Sequence, residues 1–218
     1  MSRIRPIPPV GELFLIRHCE TEMTCQRRYG GWADSPLSSA GRRCAERMAN
    51  WLPTRLPRDA RLWSSDLTRA METAALCLPG RLPRKEPRIR EMNFGDFTGN
   101  TFQENTARFG KVFSDWVEDP SAHPPPRGES LQVFEDRISF WLDDLQGAGT
   151  SAAVTHGGVM RAILARHLHQ PILSTFRYAL PPGSVVRIPV FGSGEPAWEM
   201  WRPGEFHLQH DFHSGESR

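Results

Sequence analysis

The chain has 218 residues, with 27 lysines and arginines against 25 aspartates and glutamates, a formal net charge of +2, and 39% hydrophobic against 24% charged residues. That length suits a single domain spanning 1–218 that buries roughly 70% of its unfolded surface, and the mixture is globular rather than disordered. The near-balance of charge argues against a nucleic-acid-coating protein, and apolar runs as short as Leu13-Phe14-Leu15-Ile16 argue against a membrane span.

Residues 1–10 carry three prolines and no apolar signal core, an irregular leader that points to a cytoplasmic protein. Leu13 to Ile16 reads as a strand buried on both faces. Polar residues emerge at its end in Arg17-His18-Cys19-Glu20-Thr21, and a loop with Gly30, Gly31 and Pro36 follows. Ser38 or Ser39 caps a predicted helix over 39–52, whose Ala45, Met48, Ala49 and Leu52 keep helical spacing. A second strand is predicted over Arg61 to Ser64. The next helix is capped by Ser65 or Asp66 and stopped by Pro79-Gly80. A third strand is placed near Arg88 to Arg90, a helix over 101–118, and a stiff extended piece at Pro124-Pro125-Pro126. Ser130 opens an amphipathic helix, and Ser151 to Thr155 is a strand leading into a helix from Gly157 to His169. Val185 to Phe191 and Ala197 to Trp201 are the last strands. Strands alternating with helices predict an α/β three-layer sandwich around a mostly parallel sheet, with a core over 12–201 and a small irregular or helical cap insertion over 95–128.

Cysteines stand at 19, 25, 44 and 77, without zinc-ribbon spacing, and read as free thiols in a reducing compartment. Two predicted strand ends each carry a histidine, in Ile16-Arg17-His18 and Val154-Thr155-His156. Ligands of parallel sheets sit beyond the strands' carboxyl ends, so these two rings can face one another. Taken singly, each is as well read as a buried hydrogen-bonded histidine or half of a metal site. Arg69 lies near the start of a helix that follows a strand, where a guanidinium can clasp phosphate oxygens; alone it reads as a solvated helix arginine. The helix opening at Gly157 adds its N–H groups and dipole to the same crevice. Glu91 stands before the aromatic pair Phe94 and Phe97, where bound phosphate and apolar walls would raise its pKa toward that of a general acid. The alternative is a surface ion pair with Arg88 or Arg90.

Leu15-Ile16-Arg17-His18-Cys19-Glu20-Thr21 resembles the Arg-His-Gly-Glu-Thr signature of the histidine phosphatase superfamily, in its phosphoglycerate mutase-like branch. The resemblance continues, in family order, through Tyr29-Gly30-Gly31, Asp34-Ser35-Pro36-Leu37-Ser38, Ser64-Ser65-Asp66-Leu67-Thr68-Arg69-Ala70 and Arg90-Glu91-Met92-Asn93-Phe94-Gly95. It goes on through Gly128-Glu129-Ser130 and Val154-Thr155-His156-Gly157-Gly158 and covers about residues 12–192. It implies that His18 is the nucleophile and that Arg17, Arg69 and His156 form the phosphate pocket with it. Glu91 would protonate the leaving oxygen and then deprotonate water. Gly30 and Gly31 would present backbone N–H groups to the substrate, and Thr24 would donate to a phosphate oxygen. Two departures stand out: Cys19 where the family has Gly, crowding the turn after the nucleophile, and Thr24 where it has Asn.

The function implied is hydrolysis of a small phosphorylated metabolite through phosphohistidine. The 94–97 and 128–130 segments look most like those of α-ribazole-5′-phosphate phosphatases, which belong to cobalamin synthesis, and of broad-specificity phosphatases. Two arginines and a protonated His156 would neutralise the phosphate, so no metal or other cofactor is expected. The expected partner is a small-molecule phosphate ester, in a possible homodimer. A phosphoglycerate mutase reading is opposed by the short 92–126 segment, which holds only Arg108 and Lys111 as cations. A binding module on the same fold would have lost His18, Arg69, Glu91 or His156. Trp32, beside the Gly30-Gly31 loop, is a candidate to stack on substrate. His207, His210 and His213 read as a solvated tail, and His167 and His169 as caps of a helix dipole.

Overall fold

The structure is a computed structural model that describes residues 11–147, 149–189 and 197–205. The leader at 1–10 and the histidines at 207, 210 and 213 lie outside the described residues. Strand β1 (Glu12–Arg17) divides its apolar run between two layers: Leu13 and Leu15 enter one core cluster, Phe14 and Ile16 the other. This is the period of two acting on a strand covered on both faces. One turn, α1 (Glu22–Cys25), follows, then α2 (Ser39–Trp51), whose Ser38 cap accepts the Gly41 N–H at 3.0 Å.

Strand β2 (Arg61–Ser64) has the expected limits, but α3 (Thr68–Cys77) starts later than the sequence suggests. Leu67 holds the cap position without a side-chain bond, because Ser65 is taken by His156 at 2.8 Å and Asp66 by Arg90 at 2.7 Å. Arg69 is therefore the second residue of the helix. Strand β3 is Arg84–Lys85, and the segment expected to be a strand is a 3-10 turn over Pro87–Ile89. Pro87 has no N–H for a ladder, and the Glu86 carboxylate accepts the Arg88 N–H at 3.0 Å instead.

The single helix expected over 101–118 is two, α4 (Phe102–Phe109) and α5 (Lys111–Glu118), broken at Gly110 where φ is 50°. The extended piece expected at the three prolines gives way to a turn at its third: the Gly128 N–H closes on the Pro125 carbonyl at 2.9 Å. Helix α6 (Leu131–Asp143) begins on its Ser130 cap, β4 (Thr150–Thr155) follows, and α7 (Gly157–His167) ends two residues before the expected limit. His167 donates to the Ala197 carbonyl at 2.9 Å, and burial lowers its pKa, which works against a charged dipole cap. A 3-10 turn over Ile172–Arg177 has no counterpart in the sequence reading. Strand β5 (Val185–Pro189) pairs with β6 (Glu199–Trp201); residues 190–191 of the predicted strand lie outside the described residues.

These strands make one sheet in the order β3-β2-β4-β1-β5-β6, parallel across its first four members and antiparallel at β5 and β6. Helices α2 and α3 pack on one face through Met48, Trp51, Ala70 and Ala74, and α6 and α7 on the other through Phe134, Trp141, Val159 and Ile163. The architecture is thus the expected three-layer α/β sandwich. Among the described residues no helix is long and apolar enough to cross a membrane.

Candidate active site

The register of the two central strands sets the site. β1 and β4 run parallel with Arg17 opposite Thr155, and the His18 N–H donates to the Thr155 carbonyl at 2.8 Å. The next residue of each strand is a histidine, so the rings of His18 and His156 come side by side, their centroids 5.1 Å apart and their planes tilted 58°. Both are buried.

A carbonyl only accepts, so the 2.8 Å contact between His18 Nδ1 and the Cys19 carbonyl fixes the proton on Nδ1. Nε2 then carries the lone pair, which receives a 3.3 Å contact from Arg69 Nε. Arg69 is held by the carbonyls of Gly31, at 2.7 Å, and Ala33, at 3.0 Å, so the 30–33 loop orients this guanidinium through its oxygens. Arg17 donates through Nη1 to the Leu180 carbonyl, while its Nε is buried without a hydrogen-bond partner. His156 Nε2 meets Ser65 Oγ at 2.8 Å, and its Nδ1 is likewise buried and unpartnered.

Burial, then Arg69 and Arg17, hold His18 well below the ordinary histidine pKa. His156 is lowered in the same sense by burial, Arg69 and His18, a direction that runs against the protonated ring expected from the sequence. Burial also brings the Arg17 guanidinium down to about 10.

Glu91 lies against the N-terminus of α7. Its Oε2 accepts the Gly158 N–H at 3.2 Å and its Oε1 the Met92 N–H at 3.0 Å. A Cβ at Gly158 would sit 2.2 Å from Oε1, and one at Gly157 would sit 3.2 Å from Arg17 Cζ, so this Gly-Gly pair lets acid and guanidinium lie against the helix end. The surface ion pair weighed for Glu91 is not formed with either arginine: Arg88 pairs with Glu86 and Asp144, and Arg90 with Asp66. Arg17, His18, Arg69, Glu91, Gly30 and Gly31 line one cavity of about 190 Å³.

Three expectations are corrected. Thr24 reaches the cavity wall, but its hydroxyl accepts the Thr21 N–H at 2.8 Å and donates to the Thr21 carbonyl at 3.0 Å, which commits it to the cap of α1. Trp32 donates to the Glu91 carbonyl at 2.8 Å with Arg90 stacked over its ring, so it supports the acid's backbone and is absent from the cavity lining. Cys19 does not crowd the turn: its side chain points into the α2 core, with Sγ 3.8 Å from Met48 Sδ, and its hydrogen bond with Cys44, then burial, pushes its thiol pKa up. Gly183, at φ +83°, leaves room for the neighbouring Cys44, since a Cβ there would lie 2.9 Å from Cys44 Sγ. Among the described residues no group of three or more His, Cys, Asp or Glu side chains is placed to hold a metal ion.

Residues 13–202 match the model of the histidine phosphatase superfamily (branch 1). The chain belongs to that superfamily. An adenosylcobalamin/α-ribazole phosphatase of Salmonella typhimurium is 32% identical over 176 residues, 78% of this chain and 86% of the relative. Among solved structures, the α-ribazole phosphatase of Shigella flexneri superposes with a TM-score of 0.73 at 28% identity, covering 81% of this chain and 89% of that one. A phosphoglycerate mutase of Thermus thermophilus superposes with a TM-score of 0.66 at 34% identity, covering 81% and 92%. With the family, the enzyme class expected from the sequence stands: this histidine phosphatase is a phosphoric monoester hydrolase.

Two parts of the site escaped the sequence reading. Ser65, taken there for a helix cap, is the hydrogen-bond partner of His156. Arg137, on α6, donates to the carbonyls of Arg88, Arg90 and Glu91 at 2.7, 2.8 and 2.9 Å and pairs with Glu129 at 2.7 Å, while Glu129 accepts the Asn93 N–H at 2.7 Å. Ser65 stood in a motif, which says nothing of its partner, and Arg137 stood in none.

Proposed function

We propose that this histidine phosphatase hydrolyses phosphate monoesters in two displacements, through a phosphohistidine at His18 Nε2. In the first, the Nε2 lone pair attacks phosphorus while the ester oxygen leaves with a proton from Glu91. In the second, water attacks the phosphohistidine, Glu91 takes its proton, and the P–N bond breaks to return neutral His18 and inorganic phosphate. The observation that carries this reading is the meeting of His18, whose Nδ1 is bonded to the Cys19 carbonyl, with two buried nitrogens that lack a hydrogen-bond partner: Arg17 Nε at the cavity wall, and Nδ1 of His156, whose ring lies 5.1 Å from that of His18 behind the cavity lining. Leaving such donors unmade in a core is costly, and phosphoryl oxygens would satisfy them. Fixed donors of this kind act on charge spread over three equatorial oxygens, which is where phosphoryl transfer needs help. Gly157, first residue of α7, adds the positive end of a helix dipole.

A mutase is less well supported. Arg108 lies over the Phe109 ring and Lys111 pairs with Asp115 at 2.6 Å, and neither lines the cavity, so the cap brings no cation to a second phosphate. The Salmonella and Shigella proteins make α-ribazole 5′-phosphate the first ester to assay. The test of the reaction is rapid quench with labelled p-nitrophenyl phosphate. An acid-labile, alkali-stable phosphoenzyme forms in the wild type, and His18→Ala loses both the adduct and turnover. Turnover above background in that variant would remove His18 as nucleophile.

A further inference from the structure

Cys19 follows the proposed nucleophile, and its peptide is held on both sides. Its carbonyl meets His18 Nδ1 at 2.8 Å, and its N–H donates to Thr73 Oγ1 at 3.0 Å. Thr73 in turn donates to the Arg69 carbonyl at 2.7 Å. The backbone of Cys19 therefore joins the His18 ring to the helix that carries Arg69. Its side chain takes no part in the cavity: Sγ makes a hydrogen bond with the thiol of Cys44, on α2. Both cysteines are free, and their sulfurs share the space over Gly183, where a Cβ would lie 2.9 Å from Cys44 Sγ and 3.5 Å from Cys19 Sγ. The Gly183 N–H donates to the His18 carbonyl at 3.1 Å, so the thiol pair lies directly behind the nucleophile's turn.

Two thiols so placed have a chemistry that ester hydrolysis does not use. Cys44 is the one that meets solvent, 7% exposed against none for Cys19. Its hydrogen bond with Cys19 brings its pKa down to about 7, against burial and with help from Arg47, while the Cys19 thiol moves up and keeps its proton. A thiolate at the rim with a thiol behind it is the arrangement of an attacking and a resolving cysteine. In the first step the Cys44 thiolate attacks one oxygen of hydrogen peroxide. The O–O bond breaks, hydroxide leaves and takes a proton from solvent, and Cys44 becomes a sulfenic acid. In the second the Cys19 sulfur attacks the Cys44 sulfur. The S–O bond breaks, and the departing hydroxide takes the Cys19 proton to leave as water. Two thiols and one peroxide give one disulfide and two waters. The bond draws the sulfurs to about 2.05 Å, closer than a hydrogen-bonded pair. Cys44 belongs to a helix that Ala45, Met48 and Trp51 anchor in the core, whereas Cys19 belongs to a turn, so it is the Cys19 peptide that moves.

We infer that Cys19 and Cys44 are a peroxide-sensitive modification site, whose disulfide withdraws the Cys19 carbonyl from His18 and holds the phosphatase off until a reductant opens it. The bridge stands apart from the phosphatase reading; its effect on activity rests on that reading, and the test reads the two separately. The full chain is treated with hydrogen peroxide, digested with trypsin without reduction and mapped by mass spectrometry. Cys25→Ser serves as the background, because Cys25 shares the tryptic peptide of Cys19. Turnover of p-nitrophenyl phosphate is followed in parallel. Peptide 18–27 is expected to be linked to 44–47. With the bridge, kcat falls by about tenfold, the size of one lost hydrogen bond to the nucleophile, with KM little changed, and tris(2-carboxyethyl)phosphine restores it. Adding Cys44→Ala, which leaves Cys19 and the site residues in place, preserves activity through the same treatment. Absence of the linked peptide overturns the site, whatever the variant does. Equal inactivation of the Cys44→Ala protein, or a bridge that leaves kcat unchanged, overturns its hold on His18. If the untreated protein turns over no ester, the phosphatase reading falls and the peptide map alone decides the bridge.

Discussion

His18 and His156 are the same residue type one strand apart, and their surroundings give them different protons. The Cys19 carbonyl holds the proton of His18 on Nδ1, freeing Nε2. For His156 the choice belongs to Ser65, whose Oγ also lies 3.4 Å from the Leu67 N–H. A hydroxyl that accepts from Leu67 has its own proton for His156 Nε2, which leaves Nδ1–H as a donor toward the crevice. Ser65→Ala removes that instruction. The expected result is a fall of about tenfold in kcat/KM for p-nitrophenyl phosphate and a matching weakening of inhibition by inorganic phosphate, the size of one lost hydrogen bond. An unchanged inhibition constant would mean that Ser65 does not set the ring. Glu91→Gln separates the two steps proposed for the carboxyl. An aryl phosphate departs without a proton, so its phosphoenzyme should still form within about threefold of the wild-type rate and then persist. An alkyl monoester should slow by roughly 100-fold or more. Equal slowing of the two esters would take the general-acid role away from Glu91.

Helix α6 connects packing to chemistry. Its inner face supplies Phe134, Ile138 and Trp141 to the core, and Arg137, one position away from Ile138, ties down the whole 88–91 turn that carries Glu91. Arg137→Met would strand the Glu129 carboxylate, only 9% exposed, together with three carbonyls. Breaking one side of such a pair costs about 3 kcal/mol or more, which in a chain of this size is about 10 °C in Tm. Scanning calorimetry decides, and a change of under about 2 °C would mean that α6 does not anchor the turn. The same region shows what a sequence can disclose. β2, α2 and α6 were legible because apolar spacing and a serine cap are local signals, as at Ser38 and Ser130. The start of α3 and the 87–89 turn were not, because Ser65, Asp66 and Glu86 choose partners by tertiary position. The cap's one helix became two because Gly110 takes a left-handed φ, which a helical pattern of neighbours does not announce. The nucleophile, arginines and acid were named from motifs; the pairing of Cys19 with Cys44, a turn residue with one on α2, was not visible until folded.

Folding brings His18 and His156 into a core already containing Arg17 and Arg69, and this makes the stability of the protein depend on pH. Both rings have folded-state pKa values well below 6.5, their ordinary value, burial being the largest cause for each. As pH falls below about 6.5 the unfolded chain takes up protons that the folded chain refuses, so stability is complete above that pH and is lost toward the folded-state values. Each ring can contribute at most one proton to that difference, so the pair sets an upper limit of about 3 kcal/mol between pH 6 and 5. Carboxylates act lower: Asp66, held down by its hydrogen bond from Arg90, begins to cost stability only near pH 4 and below. Urea unfolding at pH 7.5, 6 and 5 should therefore show a decline in the wild type that is largely absent from the double variant His18→Asn, His156→Asn. That variant retains the carboxylates, so the difference between the two curves isolates the rings. A wild-type curve that is flat from pH 7.5 to 5, or a double variant that declines as steeply, would show that the two imidazoles are not buried in the neutral form. The proposed nucleophile would then lose the lone pair on which the phosphohistidine depends.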